Sequence, residues 1–417
     1  MKVLLFTFGT RGDVQPYVAL GAALVRMGHE VALCTGQGFD DLISEHGIEP
    51  ATVSIDFREI INLPVAHEAF RSIAGRFRAM REFKGLVRIQ FDEMWGMAQE
   101  FRPDVIVYHP KGFAAQHIAE ALGVVAIPST LQPAFVPTGA FPNPFTPLPD
   151  LGWIGNRLSH DLIDRVTRWA QKSLIGKWRE SKLGLDMRGP TNFFEGYDPA
   201  GRLRQRLHGY SRYLAPAPDD WTERERITGY WFLDQTSHFQ PPPALEHFLA
   251  SGPPPVYVGF GSMPAEDVKR QTKTVIKGLK LAGMRGVLAT GWGGLDPEPT
   301  DGMYTLEEVP HDWLFQRCAV VVHHGGAGTT HEGLRWGRPT VICPMGVDQP
   351  YWGRRVNALG AGPKMPPLRA LTPSGLARAL QDARSWDTLS RAAEIGSAIG
   401  QERGAEDAAG MIDALTF

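Results

Sequence analysis

The sequence predicts an α/β protein made of two parallel-sheet domains, and three observations carry that reading. The chain opens as strand, glycine loop, helix and strand within its first 35 residues. After a proline-rich stretch the same order restarts at residue 256. Two short apolar runs, 319–322 and 340–343, have the unbroken hydrophobicity of parallel strands buried on both faces, and each leads into turn formers and a helical pattern.

The opening strand covers residues 3–8, followed by the loop Gly9-Thr10-Arg11-Gly12, a helix over 14–27 ended by Gly28, and a second strand over 31–35. A dinucleotide site does not fit here. The loop lacks a third glycine, and the second strand ends in Cys34 and Thr35 with no acid for a ribose. Residues 65–100 read as helical, with Arg71, Arg76, Arg78, Arg81, Lys84 and Arg88 against the single acid Glu82. That bias reads as a solvated helix face; the sharper alternative is a surface touching anionic lipid, which would bring the protein to a membrane-dissolved substrate. A strand over 104–108 ends at His109, then a helix over 114–122 and a strand over 124–127 follow. The proline- and aromatic-rich segment 128–149 reads as neither helix nor central strand but as a loop walling a hydrophobic pocket. Phe135, Phe141, Phe145 and Trp153 are its candidate lining residues. A helix over 162–183 comes next.

Residues 1–235 therefore form one domain, 236–255 a stiff linker bracketed by two triple prolines, and 256–401 a second domain. A strand over 256–260 leads into Gly261-Ser262-Met263-Pro264, where Ser262 suits a helix cap or a phosphate contact. A strand over 286–290 leads into Gly291-Trp292, and three helical segments, 373–383, 386–399 and 404–415, close the chain.

With 43% hydrophobic and 21% charged residues, 417 residues suit a soluble globular protein of two full cores. A net charge of −2 gives no bulk attraction to nucleic acid. The cysteines, Cys34, Cys318 and Cys343, are odd in number and widely spaced, which fits buried thiols of a reducing cytoplasm. The apolar start MKVLLF is too short for a signal peptide, and no run approaches a membrane span.

The most informative stretch is 309–356, VPHDWLFQRCAVVVHHGGAGTTHEGLRWGRPTVICPMGVDQPYWGRRV. The strand at 319–322 runs into His323, His324 and a glycine-rich turn. A helix beginning near Thr329 then points its positive end at the strand's carboxyl end, where phosphate is the natural guest. Thr329 and Glu332 share a face of the first turn, one offering a hydroxyl and the other two acceptors for a diol. Asp348 and Gln349 offer the acceptor and amide groups a sugar ring needs. Plainer readings stay open: Thr329-x-x-Glu332 fits a capping box and Asp348 an N-cap.

PHDWLF, HHGGAGTT and DQ-x-x-WG-x-R resemble the nucleotide-sugar signature of family 1 glycosyltransferases, in particular the sterol 3β-glucosyltransferase branch. The resemblance implies the GT-B fold: two Rossmann-like domains across a cleft, the last helix returning to the first. By that resemblance His324, Gly326, Ala327, Gly328 and Thr329 hold the diphosphate, faced by Ser262, and Gly12 is a further nucleotide-sugar contact. Glu332 holds the ribose, and Asp348 and Gln349 hold the sugar. Plant members stack a Trp on uracil where this chain has Glu308, so His311, Trp292 and the main chain at Val309 are left to grip the base.

The implied reaction is inverting transfer of glucose from UDP-glucose to the hydroxyl of a hydrophobic acceptor, a sterol or similar polycycle. Asp13, in FGTRGDVQP, is the implied general base, with an ordinary helix cap as the alternative; His109 is a weaker candidate. No Asp-x-Asp triplet occurs, so neither metal nor cofactor is expected beyond the co-substrate. Other acceptors (polyketide, macrolide, flavonoid) remain open. So do a nucleotide-sugar epimerase, disfavoured by the apolar 128–153 stretch, and an inactive binder, disfavoured by the presence of Asp13.

Overall fold

Val3 to Phe6 are fully buried because β1 (Lys2–Phe6) lies mid-sheet with covered faces on both sides. The computed structural model describes residues 1–415 apart from 72, 188, 190, 191, 193, 236–238, 262–267 and 292–294. The chain divides into two compact units. The first comprises Met1–Arg212, Pro216–Leu233 and Arg403–Phe417; the second comprises Tyr213–Ala215 and Asp234–Glu402.

In the first unit β1 is joined by β2 (Glu30–Thr35), β3 (Glu49–Thr52), β4 (Val105–Tyr108), β5 (Val125–Thr130), β6 (Arg206–His208) and β7 (Glu225–Ile227). They form a seven-stranded parallel sheet in the order β3-β2-β1-β4-β5-β6-β7. Phe6 pairs with Cys34 on one side and Tyr108 on the other, so β1 and β4 end together at the point where the strand order reverses. Helix α1 (Arg11–Arg26) and the helix Gly404–Asp413 share one core with the sheet through Leu20, Leu24 and Ile412. The helices Lys84–Phe101 and Ala115–Leu122 share the other through Phe91, Met94 and Ile118.

Three of the boundaries that differ from the sequence reading have a clear physical cause. First, α1 starts at Arg11 rather than near residue 14, because Thr10 is its N-cap and Asp13 is folded into the first turn. Second, β5 runs through Pro128 to Thr130, although proline was excluded from a central strand. It is tolerated because Pro128 sits where the outer neighbour changes. Ala126 N–H donates to the Tyr197 carbonyl, β6 pairs only from Ser129 onward, and Gly196 leaves room for the ring. Third, the long helix α2 (Gly152–Trp178) begins ten residues early and continues as a π-helical turn, Arg179–Leu183. Its start is stitched by polar residues that read as loop formers: Leu151 N–H donates to Asn156 Oδ1 (3.0 Å), and Asn156 Nδ2 donates to Asp150 Oδ1 (2.8 Å).

The stretch 65–100 is helical in Pro64–Arg71, Ile73–Glu82 and Lys84–Phe101, with a turn at Phe83, after the short helix Phe57–Asn62. Arg78 is paired with Glu68 (2.7 Å), and Arg81, Lys84 and Arg88 are exposed, as in a solvated face; the side chains of Arg71 and Arg76 lie outside the described set.

The second unit holds β8 (Val256–Gly259), β9 (Gly286–Ala289), β10 (Met303–Leu306), β11 (Val320–His323) and β12 (Thr340–Ile342). Their parallel order is β10-β9-β8-β11-β12, so this sheet reverses between β8 and β11. Helix α3 (Ala327–Arg335) follows β11, and α4 (Gln349–Ala358) follows β12.

Ile412 is fully buried on the helix that closes the first unit's core. Ile412→Ala in the full chain is expected to cost about 2–5 kcal/mol. Urea unfolding followed by a first-unit probe such as Trp231 fluorescence checks this; an unchanged midpoint would mean that the closing helix adds nothing.

Candidate active site

In open α/β sheets ligands collect at the carboxyl ends of strands where the order reverses. Each unit has one such place, and the candidate residues fall on them.

In the first unit, Gly9 adopts φ +138°, and a side chain there would collide with the Asp13 carboxylate and Lys111 Nζ. Asp13 Oδ2 accepts the Thr10 N–H (2.9 Å), which is the cap reading realised in part. Its Oδ1 accepts from Lys111 Nζ at 2.6 Å, and the Asp13 side chain is only 13% exposed. Lys111 was not foreseen: it lies 98 residues away in sequence and meets Asp13 because β1 and β4 are neighbours. His109 follows β4 directly. Its Nδ1 accepts the Lys111 N–H (3.2 Å), and burial, then the charge of Lys111, lowers its pKa to about 3. It is a neutral, buried ring. Gly12 is exposed on the first turn of α1.

The pocket-wall candidates separate into two groups. Phe135 packs edge-on to His109 (6.2 Å) and to Phe145 (5.4 Å), so these two are stacked outward from the end of β4. Phe141 packs on His160 of α2 (5.9 Å), and Trp153 is 63% exposed on the first turn of α2, over Gly139.

In the second unit, β11 ends one residue later than the apolar run, so His323 is a buried strand residue whose Nδ1 accepts the Gly325 N–H (3.0 Å). Gly325 is at φ +98°, where a Cβ would strike Ile342 and Gln349. Only His324 flanks the turn, its ring lying between Gly261, after β8, and Gly326. Burial lowers its pKa to about 4, and its Nδ1 is buried without a hydrogen-bond partner among the described residues. Gly326 is the N-cap of α3, so the first free amides are those of Ala327, Gly328 and Thr329, all half-buried. The capping-box reading of Thr329-x-x-Glu332 is thereby excluded, since the helix begins two residues before Thr329.

Both acidic candidates are held by a tryptophan four residues on. Trp336 Nε1–H donates to Glu332 Oε1 (2.6 Å), and Trp352 Nε1–H donates to Asp348 Oδ2 (2.9 Å). Trp352 is in turn packed edge-on by His331 (5.0 Å), whose Nδ1–H donates to the Ala327 carbonyl (2.7 Å). Neither tryptophan had been assigned a role, although the i,i+4 spacing was legible. Asp348 occupies the N-cap position of α4 without a side-chain cap bond. Gln349 Oε1 accepts the N–H groups of Met345 (2.7 Å) and Gly346 (3.2 Å), so its carbonyl shapes the turn and only its amide NH2 is left for a ligand. Val347 between them has φ +57°, a left-handed conformation that costs a β-branched residue about 1–3 kcal/mol.

His311 stacks on Phe315 (4.5 Å) and shares a hydrogen bond with the Tyr257 hydroxyl (3.2 Å). The Val309 side chain packs against the core around Trp313 and Leu314, which leaves its main chain. Ser262 and Trp292 lie outside the described residues. Among the described residues no group of three or more His, Cys, Asp or Glu could hold a metal ion, and no helix is long and apolar enough to cross a membrane.

Two parallel-sheet units, the second with a helix start at its reversal point, have the architecture of the GT-B fold, and comparison with known proteins agrees. The family model for the glycosyltransferase family 28 N-terminal domain matches residues 3–138, and that for the erythromycin biosynthesis protein CIII-like C-terminal domain matches 298–400. Two sterol 3-beta-glucosyltransferases of Arabidopsis thaliana are 34% and 33% identical over 88% and 97% of this chain, covering 58% and 66% of their own lengths. One of Saccharomyces cerevisiae is 34% identical over 99% of this chain and 35% of its own. The chain thus spans less than two thirds of these relatives. Among solved structures, the glycosyltransferase of kitacinnamycin (TM-score 0.72, 20% identity, 99% and 98% of the two chains) shares the fold. So does the calicheamicin glycosyltransferase CalG4 (0.71, 18%, 99% and 97%). The chain has the GT-B fold, carries a glycosyltransferase family 28 N-terminal match and an erythromycin biosynthesis protein CIII-like C-terminal match, and is similar over most of its length to sterol 3-beta-glucosyltransferases.

Burial raises the Glu332 pKa from 4.5 to about 7, against the opposing effect of Arg335, which also pairs with Asp234 (3.0 Å). The folded state therefore binds a proton that the unfolded state has released between those values, and this contribution to stability is lost as pH rises through about 7. Glu332→Gln lacks that proton and should gain on the wild type by up to about 3 kcal/mol between pH 4.5 and 7. Urea midpoints of both proteins across that range check it; parallel curves would contradict the buried, proton-holding Glu332.

Proposed function

We propose that this protein is an inverting hexosyltransferase that moves glucose from UDP-glucose to the hydroxyl of a sterol or similarly hydrophobic polycycle. One observation carries the reading: the first amides of α3, without acceptors among the described residues, open at the β8/β11 reversal, in a chain whose relatives along nearly its whole length are named sterol 3-beta-glucosyltransferases. The donor's diphosphate would lie on the N–H groups of Ala327, Gly328 and Thr329, with the Thr329 hydroxyl and neutral His324 as further donors and Ser262 and Gly12 as additional contacts. Glu332, once ionised, would accept from the ribose diol. His311, Trp292 and the Val309 main chain would hold the base. Asp348 and the Gln349 amide would accept and donate to the hexose hydroxyls.

In the reaction the acceptor oxygen forms a bond to the anomeric carbon, the bond from that carbon to the β-phosphate oxygen breaks, and the acceptor proton passes to Asp13. A carboxylate is too weak to remove that proton beforehand, but it can take it as the C–O bond forms. Lys111 keeps Asp13 oriented, and buried His109 fixes the Lys111 backbone. Phe135 and Phe145 wall the acceptor beside Asp13, with Phe141 and Trp153 further out. The acceptor would be drawn from a bilayer surface by peripheral contact. Donor binding calls on no metal or further cofactor.

Product analysis with UDP-glucose and a panel of sterols, macrolides and flavonoids tests the class. A sterol glucoside of inverted configuration is expected; a product only from the other acceptors moves the assignment to natural-product glycosylation. Asp13→Asn should lower kcat by about 10²–10⁴ with little change in UDP affinity, and full activity would remove Asp13 as the base. Trp352→Phe keeps the ring but removes the bond to Asp348. It should raise the KM for UDP-glucose by about tenfold and leave the affinity for UDP alone unchanged. Equal losses for both ligands would mean that Asp348 does not touch the sugar.

A further inference from the structure

Exposed large hydrophobic side chains are scattered over the chain except along α2 and the residue before it. There Leu151 (48% exposed), Ile154 (69%), Leu158 (59%), Leu162 (62%), Val166 (41%) and Trp169 (68%) recur at spacings of three or four and make one apolar stripe. The opposite face is spoken for. Ser159 Oγ accepts the Asn143 N–H (2.8 Å), Asn156 Nδ2 donates to the Gly139 carbonyl (3.0 Å), and His160 bonds the Phe141 carbonyl (3.2 Å). The helix is thus bolted on its inner side to the aromatic loop and presents an apolar outer stripe about 28 Å long.

The charge along this helix names the partner. Arg157, Arg165, Arg168, Lys172 and Lys177 face only Asp161 and Asp164 in a chain of net charge −2. Exposed Arg165 lies inside the stripe, and Arg157, Arg168 and Lys172 lie along one flank at helical spacing. Two of these cations have acidic neighbours, Arg157 with Asp161 and Asp220, and Arg168 with Asp164, yet all remain at the surface. Cations set within and beside an apolar stripe suit a helix lying in a lipid interface, where long basic side chains reach the phosphates while the aliphatic residues sink. The core of a protein–protein interface, by contrast, is depleted of charge.

We infer that α2 is a membrane-contact helix, lying flat in the headgroup–acyl boundary of an anionic bilayer with its apolar stripe inward. This surface is distinct from the basic helices at 64–101, whose exposed residues form a solvated face. Docking itself stands on the geometry of α2; its use, passing a bilayer-dissolved acceptor to the loop bolted behind it, rests on the proposed function.

Flotation of the full-length chain with vesicles of phosphatidylcholine, with and without phosphatidylglycerol, tests it. The wild type should float with the anionic vesicles and lose binding as salt rises. Leu158→Ser with Leu162→Ser should weaken binding about tenfold or more, and Arg165→Gln with Lys172→Gln should weaken it on anionic vesicles only, each with an unchanged circular dichroism spectrum. Failure of the wild type to float, or equal flotation of the leucine pair, overturns the inference. So does a concentration-dependent dimer in sedimentation that the leucine pair abolishes, since the stripe would then serve a second copy. With sterol as acceptor, the leucine pair should keep its activity on detergent-dissolved substrate and lose it on vesicle-embedded substrate. Flotation without turnover of any acceptor would instead count against the proposed function and leave the docking helix standing.

Discussion

A helix whose first amides have no acceptor among the described residues is the constraint around which the second unit is arranged. Gly326 ends the turn after β11, and the N–H groups of Ala327 to Thr329 then open toward the carboxyl ends of β8 and β11. The surroundings keep this helix start fixed. Gly325 takes a left-handed conformation that only glycine accepts without strain, its missing side chain leaves room for Gln349, and Gln349 in turn braces the Met345–Gly346 turn that leads to Asp348. The strained Val347 fits the same pattern, because local strain persists where neighbouring bonds over-determine the backbone. His331 and Trp352 link the back of α3 to Asp348, so the start of α3 and this acid belong to one hydrogen-bonded and packed assembly.

The first unit uses the same device at its own reversal point with a different outcome. There the loop after β1 closes into a capped helix start, and the carboxylate of Asp13 fills the place an anion would take. Lys111 from the loop after β4 meets it. Among the described residues, one reversal point is thus left open to an anion, whereas the other supplies one of its own. That contrast is the physical reason to assign the diphosphate to the second unit and proton transfer to the first.

Much of this was legible in the sequence, and the parts that were not share a cause. Strand ends were readable because a hydrophobic run stopped at glycine or histidine. The places of Asp13, His324, Glu332 and Asp348 at strand ends and on the helices that follow were readable because their motifs are contiguous. Helix starts were not, because they are set by side-chain bonds: Thr10 with Asp13 placed α1 three residues early, and Asn156 with Asp150 placed α2 ten residues early inside what read as loop. Pro128 seemed to bar a strand because sequence cannot show that its missing N–H falls where the neighbouring strand changes. Lys111 was invisible for a stronger reason, since its partner is distant in sequence and only the strand order brings them together. The two indole bonds to Glu332 and Asp348 could have been found, because both obey the four-residue spacing of a helix face.

The most direct test of the account is a crystal structure of the protein with UDP bound. The account predicts the diphosphate oxygens within hydrogen-bonding distance of the Ala327, Gly328 and Thr329 amides, with the His324 ring at their side and the ribose at Glu332. UDP seated at the β1/β4 reversal, or in the second unit away from the start of α3, would contradict it.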